Sequence, residues 1–150
     1  MGKTLLTLFV FGMAFGMAQS VLAEDLDAGT HSPQAHDCSD YGEEIDRHAC
    51  LNYNLGLKYG PRDFTRKAAS LCPLFAFWYA RNVDKGPHDI TRNGASTWSR
   101  SIPSYYTPGR TALWYAEDID KKFHQATFMS ACKIQYHEIC SEYKIHFNIK

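Results

Sequence analysis

Hydrophobic residues recur with helical spacing in three stretches of the chain. The first stretch, residues 38–60, begins with Ser39 at a helix N-cap position, and Glu43 and Glu44 suit the positive end of a helix dipole. Glycine and proline around residues 56–61 end it. This pattern predicts one helix followed by a tight turn.

The second stretch runs from Arg62 to about Asn82 and is the most apolar part of the chain outside the N-terminus. Its "PLFAFWYA" is apolar on every side, which predicts a helix through the centre of the domain. An interior proline costs a helix about 3 kcal/mol. Pro73 therefore predicts either a kink or two consecutive helices.

From Val83 to Gly109 the chain is rich in Gly, Pro, Ser, Asn and Asp, and we expect a long loop with at most a short helical turn. The stretch from Arg110 onward predicts one long helix or two in succession, and its tail "YKIHFNIK" fits a short strand or a helix end. No internal repeat is evident. The predicted fold is mainly α: a small disulfide-bonded bundle of four or five helices with a long central loop.

The first residues have the features of a cleaved secretory signal, with one lysine, an apolar run and a small-residue site, and we place cleavage after Ala23. Residues 24–37 are polar and aperiodic, and they predict a flexible leader before a single helical domain over 38–150. No second apolar span follows, so we expect an exported protein, periplasmic or secreted, without an integral membrane span.

The charges of the mature chain nearly cancel, with 15 Lys and Arg against 16 Asp and Glu once Lys3 is removed. A chain without a strongly basic surface is a poor candidate for binding nucleic acid or anionic membranes. We therefore expect a protein partner that is recognised by shape.

All five cysteines lie in the mature part, and an exported chain tends to form disulfides. A hairpin turning at Pro61 would bring Cys50 and Cys72 together, so we predict that bridge. Cys132 and Cys140 would be roughly 12 Å apart on one helix, beyond the disulfide limit of about 7 Å. Each then needs another partner, and Cys38 is the candidate for either.

Enzymatic chemistry has one candidate pair, His88 and Asp89. Small secreted phospholipases A2 carry a His-Asp pair on a helix, with the His as base and the Asp as calcium ligand, and this gives the alternative function of a secreted hydrolase. Gly86 and Pro87 directly precede His88, where the phospholipase helix would already have begun, and no glycine-rich calcium-binding loop is recognisable before them. We favour a solvent-exposed turn.

Other motifs do not support a metal, a cofactor or a nucleophile. His137 and Glu138 begin a zinc-protease pattern, but Ser141 stands at the second histidine position. No G-x-S-x-G is present. We expect no catalytic residues, no metal and no cofactor.

Aromatic residues in the predicted loop are better candidates for function. Trp98, Tyr105 and Tyr106, with Arg100 and Arg110, form a candidate partner-binding surface, since Tyr and Trp supply large contact area with few rotors. The alternative is that these rings cover the core beneath the loop.

The layout resembles that of small exported helical immunity proteins that guard the periplasm against type VI secretion amidases. The resemblance lies in the signal segment, in "CSDYGEEIDRHACLNYNLGLKYGPRDF" and in "YYTPGRTALWYAEDIDKKFHQATFMSACK". It implies a protein without catalysis that blocks a hydrolase cleft with a protruding loop or as a helical dimer. We therefore predict an inhibitor or immunity protein directed at a secreted cell-wall hydrolase.

Overall fold

The computed structural model describes residues 34–97, 108–133 and 137–150. Within these ranges the chain forms seven α-helices and no strand: α1 Glu44–Tyr59, α2 Asp63–Ala69, α3 Pro73–Tyr79, α4 Asp89–Ala95, α5 Pro108–Trp114, α6 Gln125–Ala131 and α7 His137–His146. The all-α, disulfide-bonded class is confirmed. The helices are shorter and more numerous than the four or five predicted, and the tail forms helix rather than strand.

The helices stack as consecutive hairpins. We call α1–α2 unit 1, α3–α4 unit 2 and α5–α6 unit 3; the two helices of each unit pack on each other, and α7 packs on α5 and α6. Successive odd helices contact one another, and so do successive even helices. Two layers of helices built from stacked pairs are the architecture of an α-solenoid. The bundle expected from the sequence is thus a short helical array.

Units 2 and 3 end their first helices in the same way. α3 continues as a π-helical turn, Ala80–Asp84, and α5 as another, Tyr115–Asp120. Each turn is closed by a lysine in the left-handed conformation, Lys85 with φ 55° and Lys121 with φ 52°. Two such unusual endings indicate that the units are copies of one motif.

The stretch 62–82 follows the second of the two predicted alternatives. α2 ends at Ala69 and α3 begins at Pro73, which occupies the first helical turn, where a missing N–H costs nothing. Every residue of α3 is buried, so the prediction that "PLFAFWYA" crosses the centre is confirmed. The prediction of a loop from Val83 to Gly109 was wrong for residues 89–95, which form α4.

Both disulfides differ from the predicted pairing. The bridges are Cys38–Cys50 and Cys132–Cys140, and Cys72 is a buried free thiol. Cys132 follows the end of α6 and Cys140 lies in α7, so a change of direction brings their Cα atoms to 4.4 Å, where one continuous helix would have held them apart. The proposed Cys50–Cys72 hairpin fails because α2 ends before Cys72, which instead precedes α3.

Part of the predicted leader is packed against the helices. Residues 34–37 are described, and the His36 ring stacks on Trp78 with centroids 4.4 Å apart and planes 10° apart. Residues 1–33, including the predicted signal and its cleavage site, lie outside the described ranges. In the part of the chain that the structure describes, no helix is both long and apolar enough to cross a bilayer.

Gly94 in α4 lies where two units meet. A Cβ at this position would stand 2.7 Å from the Ser70 Cβ, 2.8 Å from the Ser70 carbonyl oxygen and 2.9 Å from the Ala76 Cβ. The end of α2 and the middle of α3 therefore approach α4 at a distance that only glycine permits.

Gly94→Ala should lower the free energy of unfolding by about 2 kcal/mol, because the methyl group overpacks a backbone contact. Urea denaturation measures the change. Gly42→Ala is the matched control, since a Cβ there meets nothing within 4 Å. Equal stability of the two variants would contradict the close approach of the units.

The free thiol of Cys72 should be unreactive while the protein is folded. Burial raises the pKa of the Cys72 thiol to about 12, and the thiolate is the reactive form. We expect Ellman's reagent to detect no thiol in the oxidised native protein and one after denaturation, and peptide mapping to return the pairs 38–50 and 132–140. A Cys72-containing bridge in that map would contradict the structure.

Candidate functional site

A hydrogen-bonded tyrosine holds each unit to the helix that follows it. At the first junction the Tyr79 hydroxyl accepts the N–H of Arg62, 3.1 Å away, and bonds Thr65 Oγ1 at 2.7 Å. Thr65 Oγ1 in turn donates to the Arg62 carbonyl at 2.9 Å. An odd helix thereby supplies partners for the open N-terminus of the preceding even helix.

The same arrangement recurs twice. At the second junction Tyr115 accepts from the N–H of His88 at 3.0 Å and bonds Thr91 at 2.8 Å. At the third, Tyr143 accepts from the N–H of His124 at 3.4 Å and bonds Thr127 at 2.8 Å. All three threonines donate to the carbonyl three residues earlier. We call each set a junction cluster.

A buried ion network accompanies the first two junction clusters. Arg92 Nη2 lies 2.7 Å from Asp120, whose side chain is fully buried, and Arg92 also contacts the exposed Asp89. The hydrogen bonds that the Arg92 guanidinium donates to the Asp120 carboxylate raise the pKa of Arg92. The guanidinium also lies over the Tyr115 ring, 6.0 Å from its centroid, where a cation is attracted to the face of the ring.

The network at the first junction has the same composition. Arg66 bonds Asp84 at 2.8 Å, contacts Asp63, and lies 5.9 Å from the centroid of the Tyr79 ring. Asp84 and Asp120 are the last residues of the two π-helical turns. Each turn thus ends by placing a carboxylate against the arginine of the preceding even helix.

The third junction replaces the ion network with aromatic rings. Phe128 stands where units 1 and 2 carry arginine, and its ring packs 5.5 Å from Tyr143 and 5.5 Å from Phe123. Phe147 completes the group, 4.8 Å from Tyr143. Because α7 is the last helix, an apolar cluster here closes the core with the aliphatic residues Leu113 and Ile139.

Both candidate catalytic residues have structural roles. His88 is the N-cap of α4, and its Nδ1 accepts the backbone N–H of Ile90 at 3.2 Å. Asp89 points to Arg92, with its side chain 88% exposed, and no bond between His88 and Asp89 is present. His124 caps α6 in the same way through the N–H of Ala126, at 3.3 Å. A histidine that recurs with the same capping bond is explained by the fold.

The predicted partner-binding residues fall mainly outside the described ranges. Trp98, Arg100, Tyr105 and Tyr106 belong to the segment 98–107, of which the structure describes nothing. Arg110 is described, and its guanidinium pairs with Glu142 of α7. An acidic group of its own chain therefore holds the arginine that we expected to face an acidic partner.

No cluster in the described ranges has the composition of a metal centre, since nowhere do three or more His, Cys, Asp or Glu side chains converge as ligands. Comparison with known proteins adds no assignment: no family model matches this chain, and neither does any curated protein or solved structure against which it was compared. Its own internal repetition is therefore the main guide to its function.

Sequence reasoning missed this repetition, although the signal is present. "GPRDFTR" at 60–66 returns as "GPHDITR" at 86–92. A second set of residues returns 36 positions later: Trp78, Tyr79, Ala80, Asp84, Lys85, His88 and Thr91 correspond to Trp114, Tyr115, Ala116, Asp120, Lys121, His124 and Thr127. The first interval is 26 residues and the second is 36. Unequal intervals hide a repeat from a search at one fixed period.

Asp120→Ala should lower the free energy of unfolding by about 3–5 kcal/mol, because it leaves the Arg92 charge buried without its partner. Replacing both residues with apolar ones, Arg92→Met with Asp120→Leu, should recover most of that loss. Asp118→Ala is the control, since its side chain is 48% exposed. A double variant no more stable than Asp120→Ala would refute a mutual pairing.

High pH should destabilise the second and third junction clusters. Burial raises the pKa of Tyr115 and of Tyr143 above the ordinary value of 10.0. The folded protein then retains phenol protons that the unfolded chain loses, so the free energy of unfolding should fall as pH rises above about 10. Tyr115→Phe should reduce this slope, and Tyr59→Phe, at an exposed ring, should not. The measurement is urea denaturation between pH 8 and 11.

Proposed function

We propose that this chain is a non-enzymatic protein-binding protein that acts in an oxidising compartment and presents the segment 98–107 to an exported partner. Two disulfides in a small helical array are typical of such a compartment. Arrays of stacked helix pairs commonly serve as binding scaffolds, because they offer an extended surface on a rigid frame. A periplasmic or secreted location belongs to the same proposal.

One observation carries the proposal, and it is the length of the second junction. Each junction tyrosine accepts the N–H of a residue that precedes it in the chain. The separation between the two residues is 17 at the first junction and 19 at the third, but 27 at the second. The three clusters are otherwise alike, so the second connection contains an insertion of about ten residues. In repeat proteins, insertions map to loops on one face, often the binding face.

The composition of the insertion favours a protein partner. It contains Trp98, Tyr105, Tyr106 and Arg100, and Trp, Tyr and Arg are the residues most enriched at binding hot spots. The fold does not need these residues for a junction cluster, since Tyr115 supplies that hydroxyl. Selection for contact with another molecule accounts for an aromatic insertion in a regular array.

The partner we propose is a secreted cell-wall hydrolase, as the resemblance to immunity proteins implies. Such an enzyme has an open substrate cleft, and an aromatic segment anchored at both ends to a stiff helical frame loses less entropy on filling a cleft than a free peptide does. The chain would then act by occlusion. The capping role of His88 and the pairing of Asp89 with Arg92 leave the phospholipase-type alternative without a described catalytic dyad.

The test is inhibition of purified exported cell-wall amidases, measured as the loss of turbidity of a peptidoglycan suspension, together with binding by calorimetry. The wild-type protein should inhibit one of them. A variant that lacks residues 98–107, which gives the second junction the length of the first, should stay folded and lose inhibition. Tyr105→Ala with Tyr106→Ala should weaken binding at least tenfold, since hot-spot truncation costs about 2 kcal/mol or more.

Met129→Ala is the matched control, because Met129 is 58% exposed on α6 and is not part of the segment 98–107. It should inhibit like the wild type. If the variant that lacks residues 98–107 still inhibits the enzyme, the insertion is not the binding surface. A lack of inhibition across the amidases would reject the proposed partner.

A further inference from the structure

Residues 34–37 are held against α1 mainly through the backbone of one residue, His36. The Asn54 side chain accepts the His36 N–H with Oδ1 at 3.0 Å, and its Nδ2 donates to the His36 carbonyl at 2.8 Å. The residues on either side, Ala35 and Asp37, are exposed. One amide thus bonds both backbone groups of one residue, and main-chain bonds of this kind give affinity for an extended peptide whatever its side chains are.

The His36 ring enters an aromatic cage, which we define as the rings of Tyr53, Phe75 and Trp78. It stacks on Trp78 at 4.4 Å and lies 5.6 Å from Tyr53 and 5.8 Å from Phe75, measured between ring centroids. The three cage rings are almost fully buried and also contact one another, with centroids 5.2, 5.8 and 6.2 Å apart. Because α1 and α3 supply these walls and pack them together, the cage is formed by residues other than its occupant.

The orientation of the His36 ring indicates which side chain the cage takes. The imidazole and indole planes are only 10° apart, so a flat group is required on the Trp78 face. Imidazolium and guanidinium groups are flat cations, and tryptophan attracts cations to its face more strongly than the other aromatic rings do. His36 is half-buried, so a charged group at this place keeps part of its hydration. The cage therefore suits histidine or arginine better than an aliphatic side chain.

A disulfide keeps this segment at the cage. Cys38 follows His36 by two residues, and its partner Cys50 lies one helical turn before Asn54 in α1. Between His36 and α1 the chain forms only a short 3₁₀ turn, Cys38–Asp40. A covalent tether raises the effective concentration of a segment at its site, so a contact made through one residue suffices to keep the segment bound.

We propose that Asn54 and the aromatic cage form a peptide-binding site, which the segment 34–37 of this chain occupies as a tethered ligand. The site takes an extended peptide with histidine or arginine at the position of His36. While the Cys38–Cys50 bridge is closed, the tethered segment excludes a second peptide. When a dithiol reduces the bridge to two thiols and is itself oxidised to a disulfide, another peptide competes for the site. This proposal does not rest on the function of the segment 98–107.

The test uses an open-site variant of the whole protein, which carries His36→Ala, Cys38→Ser and Cys50→Ala and keeps the second bridge. Its ligand is a fluorescein-labelled peptide of residues 34–40 with Cys38→Ser, and fluorescence anisotropy measures binding. We expect saturable binding that becomes roughly tenfold weaker when the peptide carries His36→Ala, because the stacked ring is lost. A peptide with His36→Arg should bind at least as tightly as the original. The oxidised wild-type protein should not bind the peptide.

A second substitution in the open-site variant tests the backbone contact. Asn54→Leu should weaken peptide binding roughly tenfold, since leucine has a similar size but bonds neither backbone group. Asn93→Leu is the matched control, at an exposed asparagine of α4, and should leave the affinity unchanged. A folded open-site variant that does not bind the peptide would overturn the proposal. Equal binding of the peptides with and without His36→Ala would also overturn it.

A covalent readout needs only one substitution in the protein and decides the question if the open-site variant does not fold. Cys38→Ser leaves Cys50 as a free thiol. A peptide of residues 34–40, activated at Cys38 as a mixed disulfide with thionitrobenzoate, is then added. The Cys50 thiolate attacks the peptide sulfur and expels thionitrobenzoate, whose absorbance gives the rate. Capture should be roughly tenfold faster than for a peptide with His36→Ala, and equal rates would refute a site that recognises residue 36.

Discussion

The hydroxyl of a buried tyrosine at the start of each even helix is the constraint on which this structure depends. A helix of seven residues leaves most of its N–H groups without intrahelical partners, and such a helix is marginal in isolation. Tyr79, Tyr115 and Tyr143 each supply a bond to the residue before such a helix and bring the next odd helix with it. One interaction therefore ends one unit and positions the next.

The other features of the array follow from this bond. The tyrosine must pass between helices, which is why Gly56 of α1 has the Tyr79 ring against it, where a Cβ would lie 2.6 Å from the ring. Arg66 and Arg92 lie over the rings of Tyr79 and Tyr115, where their buried charges require acidic partners. The π-helical turns end at Asp84 and Asp120, which supply those carboxylates. The unusual helix endings and the buried charges thus have one cause.

The two ends of the array solve different problems with different chemistry. At the N-terminal end the Asn54 side chain bonds both the N–H and the carbonyl of His36, and the Cys38–Cys50 bridge joins that segment to α1. At the C-terminal end aromatic rings replace the ion network, and a second bridge joins Cys132 to Cys140. A short array has few neighbours to stack upon, so covalent closure supplements a small core.

The local features could be predicted from the amino-acid pattern: the helical class, the turn at Gly60 and Pro61, the break at Pro73 and the burial of α3. Each depends on propensity or on apolar pattern within one segment. It did not reveal that His88 is a cap, that Arg92 and Asp120 pair across 28 residues, or which cysteines join. Those outcomes depend on the direction that the chain takes between short helices. This direction is set by tyrosine bonds between units, which no pattern within one segment can predict.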